Sequence, residues 1–187
     1  MNMHTMVRTF VTILSIMVAL SIVDPGVDAK TKGEIDASVT AAMARFTKDI
    51  KGGTEYLKAA KGVLVMPNIT KAGFVVGGQY GQGALQVGGK AVRYYSLAAG
   101  SLGWQIGAEQ YDMVILFMTD EALNKFRKSD GWEAGVDAEV TLVKVGANLS
   151  VETLRSQYPI AGFVFDQKGL MAGISINGSK FTPLQPE

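Results

Sequence analysis

The stretch that decides the fold runs from residue 60 to residue 83 and reads AKGVLVMPNITKAGFVVGGQYGQG. It opens with a short apolar run, Gly62–Met66, which Pro67-Asn68 interrupts. Glycines then recur every few residues among apolar and aromatic side chains. Short apolar runs bounded by Gly, Pro and Asn are typical of β-strands, so this stretch predicts strands.

Glycine is concentrated in this stretch and downstream of it. Eighteen of the 22 glycines lie between Gly62 and Gly178. Glycine weakens a strand, and where it is frequent it lets a sheet bend sharply or lets another layer approach the backbone. We therefore expect an α+β fold, with a strongly curved, glycine-rich antiparallel sheet or partial barrel of about eight strands and the N-terminal helices packed on it.

The expected strands follow the short apolar segments. Ala72–Tyr80 and Ala84–Val87 predict a hairpin that turns at Gly81-Gln82-Gly83. Met113–Met118 is apolar on both faces, which predicts a central strand covered on both sides. Further strands are expected at Val92–Ala99, Leu102–Ala108, Val136–Leu142, Ile160–Phe165 and Leu170–Ile176, followed by a type I′ turn at Asn177-Gly178 and a last edge strand.

Three helices are expected. Lys32–Lys51 carries apolar residues at helical spacing, which places them on one face: Ile35, Val39, Met43, Phe46 and Ile50. A short second helix is expected from an N-cap at Thr54 to Ala60, with Gly62 in the left-handed position behind it. Thr119 is expected to cap a third short helix.

The composition excludes several kinds of chemistry. The chain has no Cys, and its one His, His4, lies in an N-terminal segment that we expect to be removed, as explained below. Thiol nucleophiles, His-based triads, disulfides and nearly all zinc or haem ligation need thiolate or imidazole, so we expect no metal and no cofactor. The Gly77–Gly83 segment does not have the spacing of a dinucleotide-binding loop. Carboxylates remain, and Asp112, Asp137 and Glu139 are the candidates for a less favoured hydrolase.

Residues 1–29 have the layout of a secretory signal peptide. Arg8 precedes Thr9–Val23, an uncharged and mostly apolar run that is shorter than the roughly 20 residues needed to span a bilayer. Val27-Asp28-Ala29 then supplies a cleavage site. We expect export, a mature N-terminus at Lys30, a single domain over residues 30–187, and a periplasmic or membrane-peripheral location in a bacterium of the Gram-negative type. The alternative is an uncleaved membrane anchor.

The charge of the mature chain is nearly balanced. Removing residues 1–29 takes away one of the 18 basic and two of the 17 acidic residues. Nucleic-acid binding by counterion release requires a basic domain, so we expect no nucleic-acid partner. A basic surface could arise only from local clustering.

Three lysines form the candidate binding site. Lys58 and Lys61 are three residues apart at the end of the second helix and share a face. Lys71 would lie near them if the chain turned back between Pro67 and Lys71. Ammonium groups beside apolar side chains can bind an anionic lipid headgroup, while the alternative is a set of solvated lysines at a helix C-terminus.

The same segments resemble a known family. Residues 60–74 and 77–83 are similar to the core motif of SYLF domains, and further matches follow in order over the rest of the mature chain. They are Tyr95-Ser96, the segment 100–108, the apolar strand from Asp112, Asp130-Gly131-Trp132, the segment 135–138 and the segment 169–175.

This resemblance implies a non-enzymatic, lipid-binding domain of the kind known in yeast and animals as phosphoinositide- and actin-binding modules. It implies lipid contacts by Lys58, Lys61 and Lys71, and more loosely by the helix that contains Arg45 and Lys48. In an exported protein, actin and phosphoinositides are not the expected partners, and an anionic phospholipid or membrane surface takes their place. The alternative function is a structural or protein-interaction module of the cell envelope.

Overall fold

The computed structural model describes residues 30–147, 149–168 and 175–187, and the side chains of all of these except 74–76 and 101–107. The expected signal peptide and most of the expected strand Leu170–Ile176 lie outside the described residues.

The described residues form four helices and six strands. The helices are α1 (Lys32–Asp49), α2 (Gly53–Ala59), α3 (Asp120–Lys128) and α4 (Val151–Gln157). The strands are β1 (Gly62–Val87), β2 (Lys90–Phe117), β3 (Trp132–Glu133), β4 (Thr141–Val143), β5 (Ile160–Lys168) and β6 (Lys180–Leu184). No helix among them is both long enough and apolar enough to cross a bilayer.

One long antiparallel hairpin organises the sheet. β1 and β2 pair from Gly62 opposite Phe117 to Val87 opposite Lys90. On its other side, β2 pairs with β6 through one half of its length and with β5 through the other half. β3 extends the sheet beyond β6, and β4 lies parallel to β5. The two halves of β1, and likewise those of β2, count as separate segments of the sheet. Counted in this way, the curved mixed sheet has eight strand segments and forms a half-barrel, which confirms the expected fold class.

Two glycines let β1 curl back onto itself. A Cβ atom on Gly81 would lie 2.8 Å from Cγ1 of Ile69, and a Cβ atom on Gly83 would meet the carbonyl oxygen of Val65. The second half of β1 therefore lies directly against the first half. Only a residue without a side chain permits this approach, which explains the glycine in this part of the sequence.

The sheet separates two apolar clusters, one on each face. Met113, Ile115 and Phe117 point into the inner cluster, which α3 helps to fill. Val114 and Leu116 point into the outer cluster beneath the other three helices. This alternation confirms that Met113–Met118 is part of a central strand covered on both sides.

Helix α1 follows the expected periodicity closely. Thr31 caps it, and its side chain forms a reciprocal capping box with Glu34. The apolar face is buried against the sheet and contains Ile35, Val39, Ala42 and Phe46, followed by the buried C-cap Ile50, whereas the expected Met43 is only partly buried. Thr119 caps α3 as expected, with its hydroxyl accepting a hydrogen bond from the N–H of Ala122.

The expected hairpin with a turn at Gly81-Gln82-Gly83 is wrong. These residues lie within β1, and the chain reverses at Gly88-Gly89 instead. Both glycines have positive φ, 59° and 76°, as a two-residue type I′ turn requires. Several expected short strands are therefore parts of two long ones.

Other local expectations also differ from the structure. Gly52 rather than Thr54 is the N-cap of α2. Gly62 is not in the left-handed region; it lacks a side chain because a Cβ atom there would lie 2.5 Å from Cδ1 of Leu123. Of the expected strand Val136–Leu142, only Thr141 and Leu142 lie in a strand, β4, and Val136 is exposed in a turn. Helix α4 was not expected.

The last turn and the last strand are partly as expected. Ile176 and Ser179 close a turn through a hydrogen bond of 2.9 Å from the N–H of Ser179. Of its two central residues, Gly178 alone has a positive φ, which fits a type II turn rather than type I′. β6 lies between β3 and β2, so it is not an edge strand.

Candidate functional site

Two of the candidate lysines border one groove, which we call the lysine groove. It is a surface depression of about 330 Å³ between α1, α2, the start of β1 and the β1–β2 turn. Its lining residues are Met43, Leu57, Lys58, Ala60, Lys61, Gly62, Val63, Gln86, Gly88 and Gly89. The groove combines apolar side chains with two cations and with a turn that has no side chains.

The fold fixes both lysines at the rim. Lys58 lies in the last turn of α2, where a cation is favourable because of the helix dipole. Lys61 directly precedes β1, and its backbone N–H donates to the carbonyl oxygen of Phe117 at 2.8 Å. Both side chains are exposed. Their ammonium groups are therefore held on one side of the domain while remaining accessible to a ligand.

Helix α2 is itself held in place by contacts with the rest of the domain. The hydroxyl of Tyr56 donates to the carbonyl oxygen of Leu149 at 2.6 Å, and its ring stacks on Phe163 with centroids 5.6 Å apart. Arg155 of α4 donates to the carbonyl oxygen of Ala59 at 3.2 Å. These contacts keep the rim of the lysine groove in one position.

One carboxylate lies next to the groove. Oδ2 of Asp120, the first residue of α3, is 3.5 Å from Nζ of Lys61. The Asp120 side chain is 74% exposed and the Lys61 side chain 48% exposed. An exposed pair of this kind contributes little to stability. Asp120 therefore matters mainly because its negative charge lies beside the two positive charges of the groove.

Lys71 does not join the other two lysines. The chain does not turn back after Pro67; it continues as β1, which carries Lys71 along about 30 Å of extended strand from Lys61. Lys71 is only 6% exposed and lies 3.9 Å from Oε2 of Glu109, its cross-strand neighbour. The expected cluster of three lysines is therefore wrong, and Lys71 forms a buried ion pair.

This ion pair lies near a small buried network. The hydroxyl of Tyr111 donates to Oε1 of Gln79 at 2.5 Å, and Nε2 of Gln79 donates to the hydroxyl of Ser179 at 3.2 Å. Burial, and next the Glu109 carboxylate, raise the pKa of Tyr111 well above its ordinary value. Tyr111 is thus a neutral donor. The network links β1 and β2 to Ser179, the residue before β6.

Asp112 is committed to a structural contact. Its Oδ2 accepts hydrogen bonds from Nε and Nη2 of Arg45 at 2.8 and 2.6 Å, and its Oδ1 accepts one from the N–H of Asn68 at 2.8 Å. Arg45 also lies 3.1 Å from Asp166. Arg45 is therefore occupied by carboxylates, whereas Lys48 is exposed in the last turn of α1.

The other two hydrolase candidates lie in the segment between β3 and β4. Oδ2 of Asp137 accepts a hydrogen bond of 2.7 Å from the N–H of Glu133, and Glu139 is exposed. Neither they nor Asp112 line the lysine groove. Within the described part of the chain, no three His, Cys, Asp or Glu side chains come together to hold a metal ion.

A second groove of about 380 Å³ lies at the other end of α1, lined by Lys32, Arg93, Tyr94 and residues 183–186 among others. Two of its polar groups are already engaged. Nη1 of Arg93 donates to the carbonyl oxygen of Arg127 at 2.9 Å, and the N–H of Lys32 donates to the carbonyl oxygen of Glu187 at 2.8 Å. The lysine groove is the better candidate site.

Two features of the lysine groove and its surroundings, the Gly88-Gly89 turn and the neighbouring Asp120, were not expected from the sequence. Gly88-Gly89 is a strong local turn signal between Val87 and Lys90, and it could have been found from the dipeptide alone. Asp120 could not, since its proximity to Lys61 depends on the pairing of Gly62 with Phe117 across two strands.

Comparisons with known proteins point to one family. Residues 98–186 match the family model described as "Ysc84: Las17-binding protein actin regulator". LAS seventeen-binding protein 3 of Saccharomyces cerevisiae is 28% identical over 159 residues, which cover 81% of this chain and 34% of that protein. SH3 domain-containing YSC84-like protein 1 of Rattus norvegicus is 30% identical over 158 residues, which cover 81% of this chain and 46% of that protein.

These matches extend over most of the described residues, although the chain spans between a third and a half of the length of these two relatives. The family model covers β2 from Ala98 onward and the chain after β2 as far as Pro186. The longer matches are of a length that also includes β1. The same segments carry the motifs that resemble SYLF domains. The chain therefore belongs to the Ysc84 family of SYLF-domain proteins.

Proposed function

We propose that this protein is a non-enzymatic lipid-binding domain that docks on anionic phospholipid through the lysine groove. The observation that carries the proposal is the combination of Lys58 and Lys61 with Met43, Leu57 and Val63 around one depression. Anionic headgroups attract basic residues near a membrane surface, and the adjoining apolar side chains can contact the acyl region. Lys71 is not part of this surface because it is buried inside the half-barrel.

Because the apolar face of α1 is buried, the lysine groove is a better candidate than α1 for the contact with the membrane. An amphipathic helix binds a membrane by burying its apolar face in the lipid. In α1, the apolar residues Ile35, Val39 and Phe46 are already buried against the sheet. Turning them to the membrane would lift α1 off the sheet and uncover apolar side chains of the outer cluster, at about 1.5–3 kcal/mol for each one exposed to water. Insertion of α1 would therefore require partial unfolding. The lysine groove needs no such change.

Replacing both Lys58 and Lys61 by alanine is expected to weaken binding to anionic vesicles about thirtyfold. Each basic residue near an anionic surface contributes about 1 kcal/mol, and about 2 kcal/mol corresponds to this factor. Binding by the wild-type protein should also weaken as salt is added, because both ammonium groups are exposed to screening. Co-sedimentation with phosphatidylcholine vesicles containing phosphatidylglycerol, at low and high salt, measures both effects.

The matched control is the double variant Lys32→Ala, Lys128→Ala. It removes two exposed lysines and the same net charge at other places on the domain. Circular dichroism should show that both double variants are folded, since exposed substitutions usually change stability by less than about 0.5 kcal/mol. Equal losses of binding in the two would mean that net charge alone drives association, and no loss in either would exclude the lysine groove.

Protein binding is the second candidate function. The matching family model is described by binding to Las17 and by actin regulation, and it covers residues 98–186, which lie outside the lysine groove. We propose that any protein partner would contact this part of the domain. Actin itself is not the proposed partner, because an exported protein would not meet it. A domain that binds purified envelope proteins but no vesicles would favour this alternative.

We further propose that the protein is exported and that cleavage leaves Lys30 as its first residue, giving a periplasmic or membrane-peripheral location. The backbone nitrogen of Lys30 lies 3.2 Å from Oε1 of Gln82, so an amino group there would keep a hydrogen-bond acceptor. Thr31 already caps α1. Cleavage at this point would leave the described contacts intact.

Intact-mass measurement of protein recovered from the periplasm is expected to show a chain that begins at Lys30. The physical reason is the cleavage site at Val27-Asp28-Ala29, directly after the apolar run. Cytoplasmic protein from cells in which export is blocked serves as the control and should retain residues 1–29. Recovery of a membrane-embedded chain that still carries Met1 would contradict the proposal and indicate an uncleaved anchor.

A further inference from the structure

The charges around the lysine groove do not cancel. Among the lining residues, Lys58 and Lys61 are the two charged ones. The carboxylate of Asp120 forms an ion pair with Lys61 at 3.5 Å. Two positive charges and one negative charge leave the groove and its neighbour with a net charge of +1, which matches a ligand with a single negative charge.

The position of Asp120 is fixed by the fold rather than by the ion pair. Phe117, at the end of β2, pairs with Gly62 and accepts the backbone hydrogen bond of Lys61. Thr119 then caps α3, whose first residue is Asp120. The backbone of Asp120 therefore stays beside Lys61 when a ligand binds, and the carboxylate can move away only as far as its short side chain reaches.

We propose that Asp120 determines which anionic lipid the groove accepts, favouring a phosphodiester headgroup over a phosphomonoester. This inference rests on the proposed lipid-binding function. A phosphodiester carries one negative charge, which the groove neutralises with Asp120 in place. A phosphomonoester carries close to two at alkaline pH, because its second pKa is about 6. Its additional charge would be repelled by the Asp120 carboxylate.

The repulsion acts over a short distance and is only partly screened. A phosphate bound by Lys61 would lie within about one Debye length of Asp120, which is about 10 Å at 0.1 M salt. Near a protein surface, two like unit charges a few ångströms apart repel each other strongly enough to change an affinity about tenfold. Neutralising Asp120 should therefore improve phosphomonoester binding about three- to tenfold relative to phosphodiester binding.

The test compares the mature wild-type protein with Asp120→Asn on two kinds of vesicle at pH 8. One kind contains phosphatidic acid and the other phosphatidylglycerol, in phosphatidylcholine, at contents that give equal surface charge. Asn keeps the size of the side chain and the cap by Thr119. Glu121→Gln is the matched control, because it removes one carboxylate from the same helix turn without touching the pair with Lys61.

The expected result is a three- to tenfold rise in the ratio of phosphatidic acid to phosphatidylglycerol affinity for Asp120→Asn and no change for Glu121→Gln. An equal rise on both vesicles, or the same shift in both variants, would overturn the inference. The inference would also be overturned if Asp120→Asn bound both vesicles as the wild type does while the Lys58, Lys61 double variant lost binding. In that case the proposed function would still hold. Failure of the proposed function would instead show as wild-type binding that does not depend on the two lysines.

Discussion

Replacing Gly83 by alanine is expected to destabilise the domain by at least about 3 kcal/mol, the upper range for overpacking a well-filled interior. The new Cβ atom would meet the carbonyl oxygen of Val65 and lie 2.8 Å from Sδ of Met66. Met66 could move, but Val65 is buried and its backbone is paired with Val114. The two halves of β1 would therefore have to separate, and the half-barrel would open.

Thermal unfolding followed by circular dichroism measures this effect. In a protein of this size, 1 kcal/mol shifts the melting temperature by about 2–4 °C, so we expect a fall of roughly 6–12 °C or an insoluble variant. Gly100→Ala is the control, because Gly100 also lies in the long hairpin but a Cβ atom there has no neighbour within 4 Å. Equal melting temperatures for the two variants would show that β1 does not lie against itself as described.

Local patterns predicted the elements whose structure depends on nearby residues. The 3.6-residue period of α1, the cap at Thr119 and the apolar run Met113–Met118 are each contained in a short stretch of sequence. They were expected correctly for that reason. Helix α4 has only seven residues, Val151–Gln157, which is too short for a comparable pattern.

The long strands could not be predicted in the same way. Pro67-Asn68 has the composition of a turn, yet the chain forms a bulge there and continues, with Asn68 at a φ of 51° and its N–H bound to Asp112. Gly81-Gln82-Gly83 also has turn composition, but its glycines serve the contact with the first half of β1. In both places the deciding partner is distant in the sequence, so tertiary contacts overrule the local preference.

In the candidate site, too, some features depend on nearby residues and others on distant ones. Lys58 and Lys61 were expected on one side of the domain from helical spacing. They do share a groove, but α2 ends at Ala59, and it is the backbone bond of Lys61 to Phe117 that holds the second lysine there. The position of Lys71 depended on whether the chain turned at Pro67, and it did not. Asp120 entered the site only through the pairing of β1 with β2. The sequence therefore predicted the two cations, and the structure supplied the counter-charge and the groove between them.

Replacing Arg45 by methionine is expected to destabilise the domain by about 3 kcal/mol, the lower end of the usual effect of breaking a buried ion pair from one side, because the Arg45 side chain is 32% exposed. Asp112 is 1% exposed, and two of its hydrogen bonds come from the Arg45 guanidinium. Without Arg45, the carboxylate would keep the N–H of Asn68 but would remain buried without a countercharge. Methionine keeps most of the apolar stem of arginine, so the loss reports mainly on the charge.

Two further variants separate the buried charge from the packing of α1. Lys48→Met removes an exposed cation from the same helix and should leave the melting temperature nearly unchanged. Adding Asp112→Asn to Arg45→Met removes the unpaired charge while keeping an acceptor for the N–H of Asn68. The double variant should therefore recover part of the lost stability, in line with the rule that replacing both members of a buried pair is milder than removing one. If it is no more stable than Arg45→Met alone, the loss comes from the packing of α1 on the sheet and not from the isolated carboxylate.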